Sequence, residues 1–337
     1  MVNNLKISTR DIRYDVIRSI AMICVIMIHS VGEFDNAMSN GEINGILVHI
    51  ESSFLKIIYI GVPLFVMLSG ALLLGRSEPI VVFLKRRLRR VLIPFALWST
   101  IVYAILYWQG GGRSPVEFIK VLVIRTLGND YYGIFWYVYL IIGIYLLVPA
   151  LRLVAKNLSV CCYTATLLIV LYLIGIFVPN FGVSSYFQSN NLVYLGLFLM
   201  GYVIKEKTIV SKWISNWIVP ISLITWFGMI VYDYYIGDIL IYPVLAIPFF
   251  AYLLSRNYLS IFPFSFVKLR GGIKYFSCFT YGIYLTHFMF ISLFLKLPIV
   301  SKIPLIIEPF IMVISVTIAT CIFFYVINKM KLGKWLM

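Results

Sequence analysis

The chain has 337 residues, of which 62% are hydrophobic and only 12% are charged, and its formal net charge is +15. Soluble domains carry roughly 25% charged and about 45–50% apolar residues, so this composition excludes an ordinary soluble protein and favours a membrane protein. The positive charge does not indicate nucleic-acid binding, because the basic residues cluster at the ends of apolar runs, where they orient membrane helices.

Ten apolar runs predict ten transmembrane helices, most of them close to the ~20 residues that cross a bilayer. The run at 46–75 is long for one crossing and contains Glu51 and Lys56, which suits an interfacial position for its first part. With the N-terminus in the cytoplasm, 22 of the 28 Lys and Arg residues fall on the cytoplasmic side, which predicts that both termini are cytoplasmic. We therefore expect an all-α polytopic membrane protein with a single domain over residues 1–337, a core at 12–328 and short cytoplasmic tails. The predicted spans lie near 14–32, 46–75, 88–108, 134–151, 160–178, 191–204, 214–236, 239–255, 275–295 and 305–327.

The first predicted span contains a charged and a titratable residue, which are costly at membrane depth and so point to function. Arg18 and His29 are eleven residues apart, or three helical turns, so they share one face about 16 Å apart along the axis. Histidine, with an unperturbed pKa of about 6.5, suits a general base at neutral pH. The alternatives for His29 are a hydrogen bond between helices and a place at the outer headgroups.

A basic cluster precedes the third span, where five of the six residues at 85–90 are Lys or Arg. Anchoring to anionic lipid explains such a cluster, although one helix end needs fewer charges. Arg87 and Arg90 lie on one helix face, and guanidinium groups with this spacing suit the phosphates of a cofactor that arrives from the cytosol. Both interpretations stay open.

Several further side chains have a packing role as their first interpretation. His287, beside Tyr284, is expected to form a hydrogen bond between helices. Ser69 lies in a run of small residues at 61–70 that permits close helix approach, and it would be a nucleophile only with a base nearby. The aromatic run at 135–139 suits an interfacial belt. The cysteines lack metal-ligand spacing and are predicted to be small buried hydrophobes: Cys24, Cys161, Cys162, Cys278 and Cys321.

Six motifs follow one another along the chain: Arg18 with His29, 62–70, 87–95, 135–149, 198–202 and 281–287. Each motif is weak alone, but the six in this order resemble the membrane acyltransferase 3 family over residues 18–290. Members of that family move acyl groups, most often acetyl from acetyl-CoA, onto hydroxyls of cell-envelope carbohydrates.

The resemblance implies a stand-alone O-acetyltransferase of the bacterial cytoplasmic (inner) membrane. The donor substrate would be acetyl-CoA, the acceptor an envelope glycan or polyprenyl-linked saccharide, and no metal, prosthetic group or nucleic acid is expected. A transporter or exporter of envelope saccharide is the alternative, because embedded charges suit a transporter equally well. The resemblance implies His29 and Arg18 for catalysis and Arg87 and Arg90 for donor binding. Arg86 of the same basic cluster is a further donor-binding candidate, and Ser69, Tyr284 and His287 are candidates for a supporting role.

Overall fold

The computed structural model describes residues 11–31, 57–109, 111–112, 114–128, 135–177, 190–206, 242–255, 267–304 and 307–330, with three isolated positions at 220, 224 and 228. All regular structure in these residues is helical. Short 3-10 turns lie at Ile57–Ile60 and Val300–Lys302. The α-helices are α1 (Ile12–Ser30), α2 (Gly61–Leu73), α3 (Ile80–Gln109), α4 (Pro115–Gly128), α5 (Trp136–Ala155), α6 (Leu158–Phe177), α7 (Asn190–Glu206), α8 (Tyr242–Ser255), α9 (Val267–Leu295) and α10 (Glu308–Lys329).

The prediction of an all-α polytopic membrane protein is confirmed. Within the described residues, five helices (α3, α5, α6, α9 and α10) are long and apolar enough to cross a membrane. Nine of the ten predicted spans contain a described helix, and the predicted span at 214–236 lies outside the described residues apart from the isolated positions 220, 224 and 228. The first part of the predicted span at 46–75 also lies outside them.

Helix α4 was not predicted, because its apolar residues do not form a continuous run. Val116, Ile119 and Val123 are exposed, while Glu117 and Lys120 interrupt them. Among the described helices, α4 packs mainly against α3. A short helix with apolar and charged side chains is typical of a segment that lies at a membrane surface.

Helix α1 lies at the centre of the described bundle and packs against α2, α9 and α10. Asp11 caps its N-terminus, since the Asp11 carboxylate accepts a hydrogen bond from the Arg13 backbone N–H at 3.0 Å. Ile17, Met22 and Ile26 are completely buried. Most of α1 is therefore packed against other helices, although Ile23 is exposed.

Glycines let α2 pack closely against α1 and α7. A Cβ atom on Gly61 would lie 2.9 Å from a backbone oxygen of α1, and one on Gly70 would overlap the Phe198 carbonyl of α7. In return, a Cβ atom on Gly201 of α7 would overlap a backbone carbonyl of α2. The prediction that the run at 61–70 permits close helix approach is therefore confirmed.

Arg152 of α5 fixes the connection between α2 and α3. Its guanidinium donates to the Leu73 carbonyl at 3.2 and 3.3 Å, pairs with the Glu78 carboxylate at 3.1 Å and lies 4.5 Å from the centre of the Phe83 ring. Arg86 pairs with the same carboxylate. Burial alone would raise the pKa of Glu78, but the hydrogen bond from Arg152 and the nearby guanidinium charges hold this pKa below its ordinary value.

Candidate functional site

A cavity of about 1160 Å³ lies between α1, α2, α3, α5 and α9, and we call it the basic cavity. Ligand pockets typically measure about 300–1000 Å³, so this cavity has room for a large ligand. Its lining on α3 extends from Val82 to Pro94, which is about 18 Å at the helical rise. The lining side chains are basic on α1 and α3, and they include tyrosines on α5 and α9.

Positive charge dominates the lining of the basic cavity. Within the described part of the chain, no acidic side chain lines it. Low-dielectric walls with charge of one sign attract counter-ions, so the cavity is suited to an anionic ligand. The cluster at 85–90 therefore faces a cavity in addition to any role in anchoring. The basic lining residues are Arg18, Arg76, Lys85, Arg86, Arg87, Arg89 and Arg90.

The donor-binding candidates on α3 differ in their neighbours. Arg87 is half-buried, and its Nε is buried without a hydrogen-bond partner among the described residues. An unsatisfied buried donor costs about 1–3 kcal/mol, which a ligand oxygen would recover on binding. Arg90 is exposed on the same helix, whereas Arg86 is paired with Glu78. Arg87 is thus the arginine best prepared to receive an anion.

Arg18 reaches the basic cavity from α1 and is held by a buried carboxylate. Its guanidinium donates to Oδ1 of Asp15 at 3.0 Å, and the Ser277 hydroxyl of α9 donates to the same oxygen at 2.8 Å. Asp15 is fully buried, while the Arg18 side chain is 21% exposed. Sequence reasoning missed Asp15 and Ser277, although an aspartate three residues before Arg18 on the same helix was an available signal.

Besides Tyr14 on α1, four tyrosines line the basic cavity, Tyr137 and Tyr145 on α5 and Tyr281 and Tyr284 on α9. The rings of Tyr137 and Tyr284 meet edge to face with centres 5.5 Å apart, and Tyr281 stacks on Tyr284 at 6.5 Å. Because Phe135 and Tyr137 are buried, the prediction that this aromatic run forms an interfacial belt is wrong for these two residues. Tyr137 instead joins α5 to α9 across the cavity.

The two histidines of α1 and α9, His29 and His287, lie side by side, and we call them the histidine pair. Their ring centres are 5.0 Å apart, and the ring of Tyr284 lies 5.9 Å from that of His287. Neither histidine lines the basic cavity, but Tyr284 does, so Tyr284 connects the cavity to the pair. His287 bonds to the Tyr284 carbonyl of its own helix, which differs from the predicted bond between helices.

Ser69 also lines the basic cavity, but its hydroxyl donates to the Phe65 carbonyl one turn earlier at 2.9 Å. Such a bond within a helix is typical of a packed serine. In the described part of the chain no histidine bonds to this hydroxyl. The contacts of Ser69 therefore agree with its packing interpretation.

The five cysteines lie in the described residues, where none of them forms a disulfide bond, and they differ in exposure. Cys161 is buried, but Cys278 is exposed and lines the basic cavity, so the prediction of burial is wrong at this position. The reason is that this part of α9 faces the cavity. The described residues contain no group of three or more His, Cys, Asp or Glu side chains that could hold a metal ion.

Comparison with known proteins gives one match. A family model described as an acyltransferase domain matches residues 11–329. No curated protein sequence and no solved structure matches the chain. The matched range extends from the N-cap of α1 to the end of α10 and includes every residue that lines the basic cavity as well as the histidine pair.

Proposed function

Because the chain belongs to the acyltransferase 3 family and is a multi-pass membrane acyltransferase, we propose that it moves an acetyl group from cytoplasmic acetyl-CoA to a hydroxyl of a cell-envelope polysaccharide or of its lipid-linked precursor. The observation that carries this proposal is the basic cavity, whose basic lining and volume suit a large donor with several phosphates. The charge distribution of the sequence supports an orientation with the cluster at 85–90 in the cytoplasm, and the family resemblance suggests the bacterial cytoplasmic membrane as its location.

In this proposal the phosphates of the donor bind to Arg87 and Arg90, with Arg86 available once its contact with Glu78 opens. The pantetheine arm then extends past the tyrosines towards Tyr284, the lining residue next to the histidine pair. A donor that enters on one side and a base that lies deeper give an acetyl group a path across the membrane while CoA itself stays behind.

In the proposed chemical step, His29 acts as the general base. His29 takes the proton of the acceptor hydroxyl while the oxygen attacks the thioester carbonyl, so that a C–O bond forms and the C–S bond breaks. The CoA thiolate leaves and takes the proton back from the imidazolium, which balances the reaction. Arg18 orients the donor or stabilises the developing oxyanion. A second route, in which His29 itself carries the acetyl group, uses the same residues.

Replacement of His29 by alanine tests this proposal. His29→Ala is expected to abolish acetylation of the envelope glycan, measured by mass spectrometry, while the protein stays in the membrane. His49→Ala is the matched control, since the sequence assigns no role to His49. Acetylation at the wild-type level in His29→Ala would refute the role of this base.

A second experiment separates a transferase from a transporter. Inside-out vesicles that contain a transferase should incorporate label from acetyl-CoA into glycan, whereas vesicles that contain only a transporter should not.

A further inference from the structure

His287 has its proton position fixed by its own helix. The side chain is fully buried, and Nδ1 lies 2.6 Å from the Tyr284 carbonyl oxygen. A carbonyl oxygen only accepts hydrogen bonds, so Nδ1 must be the nitrogen that donates. In the neutral ring this leaves Nε2 without a proton and with a lone pair that can accept one hydrogen bond.

The lone pair on Nε2 of His287 is the unusual feature. Nε2 is buried and has no hydrogen-bond partner among the described residues. A buried acceptor without a partner is costly, and such a cost points to a contact that forms during function. The aromatic neighbours of this ring are His29 and Tyr284.

The separation of the two imidazole rings fits a direct hydrogen bond. Each ring nitrogen lies about 1.2 Å from its ring centre, so an N–H···N bond of about 2.9 Å places the centres at most about 5.3 Å apart, and closer when the bond is bent. The observed distance between centres is 5.0 Å. Rotation about χ2 of a histidine is soft, so a small turn of the His29 ring completes the bond. Phe288 meets the same ring edge-on at 6.4 Å and limits its other movements.

We propose that His287 is a positioning residue for His29, with Nε2 of His287 accepting the N–H of the His29 ring. This inference rests on the proposed function, because it gives His29 the tautomer in which the second ring nitrogen is free to take the acceptor proton. When His29 becomes an imidazolium, the same bond becomes charge-assisted and strengthens. The neutral His287 ring stabilises the His29 imidazolium without placing a second charge in the membrane, where a carboxylate would carry a large desolvation cost.

Nitrogen-15 NMR of the full-length protein in lipid bilayers tests the hydrogen bond without any need for activity. The chain has only three histidines, His29, His49 and His287, so labelled histidine gives six ring nitrogens, and His→Gln variants assign them. We expect His287 to show a protonated Nδ1 and a bare Nε2, and His29 to be a single tautomer. In His287→Phe, His29 is expected to become a mixture of tautomers. A protonated Nε2 on His287 in the wild-type protein would overturn the inference.

Kinetics separate positioning from a merely structural role. His287→Phe is expected to lower kcat about 10- to 100-fold, part of the ~10²–10⁴-fold that a positioned base contributes, while KM for acetyl-CoA stays unchanged. His287→Gln keeps an acceptor oxygen and is expected to restore most of this loss. An equal loss of kcat in His287→Phe and His287→Gln would contradict a positioning role for His287. A wild-type protein that transfers no acetyl group would refute the proposed function. The nitrogen spectra would still show whether the hydrogen bond between His29 and His287 forms.

Discussion

At the scale of single residues, the arginines that line the basic cavity differ in what they already bind. Arg18 is paired with Asp15, and Arg86 with Glu78, so a ligand must compete with a carboxylate at either position. Arg87 presents a buried Nε without a hydrogen-bond partner among the described residues. A phosphate oxygen therefore gains more at Arg87 than at Arg18 or Arg86, because at Nε it replaces no existing hydrogen bond within the described part of the chain.

Replacement of Arg87 is expected to weaken donor binding more than the chemical step. A hydrogen bond to a charged group contributes about 1.5–3 kcal/mol, so Arg87→Ala should raise KM for acetyl-CoA roughly 10- to 100-fold with a smaller fall in kcat. Arg87→Lys should recover only part of the lost affinity for acetyl-CoA, because lysine lacks the planar guanidinium that binds a phosphate through two hydrogen bonds. Steady-state kinetics measure both constants. Arg270→Ala, at an exposed position outside the cavity lining, is the control. Unchanged KM with reduced kcat would place Arg87 elsewhere in the mechanism.

The sequence was sufficient to propose His29 and Arg18 as candidates, because their spacing places them on one helix face and both are costly in a membrane; their catalytic role stays a prediction. It was not sufficient to find the bond from Ser277 to Asp15, which joins residues 262 positions apart. The pairing of Arg86 with Glu78 was also not predicted, since basic residues at a helix end are ordinarily explained by orientation alone. Contacts between distant helices depend on packing that no local pattern contains.

At the scale of helices, the packing of α2 against α7 depends on two glycines. The added methyl group in Gly70→Ala or Gly201→Ala would overlap a backbone carbonyl of the facing helix, which a rotamer change cannot relieve. Overpacking of this kind typically costs about 1–3 kcal/mol. Because α2 also carries Ser69 and Phe65 into the basic cavity, a shift of α2 would change the shape of that cavity.

We expect Gly70→Ala and Gly201→Ala each to lower the free energy of unfolding by about 1–3 kcal/mol, seen as a lower Tm in detergent micelles. Gly143→Ala is the matched control, because a Cβ atom there would have no neighbour within 4 Å. Since alanine favours helix over glycine, Gly143→Ala should leave Tm unchanged or slightly raised. Equal destabilisation at all three positions would show that the close approach of α2 and α7 is not the cause.

The ion pairs of Glu78 predict a pH dependence. The ordinary pKa of this carboxyl is 4.5, and its pKa in the folded protein is lower. The stabilisation is therefore fully present above about pH 4.5 and is lost as pH falls through the folded pKa. The Tm difference between the wild-type protein and Glu78→Gln should be constant from about pH 7 to about pH 5 and should shrink at lower pH.

Glu117→Gln is the control for this measurement, since Glu117 accepts a hydrogen bond from Tyr107 and forms no ion pair in the described residues. Its Tm difference from the wild-type protein should not show the same loss at low pH. A Glu78→Gln difference that grows as pH falls would contradict the sign of the pKa shift.

At the scale of the whole molecule, apolar runs were sufficient to predict the class of protein and the position of nine helices. They failed for α4, whose apolar and charged side chains are interleaved. The basic cavity was beyond prediction, because its lining comes from five helices between Tyr14 and Tyr284. Five of the six family motifs nevertheless contribute lining residues to this cavity, because motifs far apart in the chain meet around it, whereas the motif at 198–202 contributes none.

The central claim is that the basic cavity receives the CoA part of the donor from the cytoplasm. Cys278 is exposed and lines this cavity, so it can report occupancy once the other four cysteines are replaced by alanine. A membrane-impermeant maleimide should label Cys278 in inside-out vesicles and not in right-side-out vesicles. Saturating desulfo-CoA, which has no thiol to consume the reagent, should slow that labelling at least about tenfold, as expected for a site that the ligand occupies more than 90% of the time. Labelling from the opposite side, or at a rate that desulfo-CoA does not change, would contradict the claim.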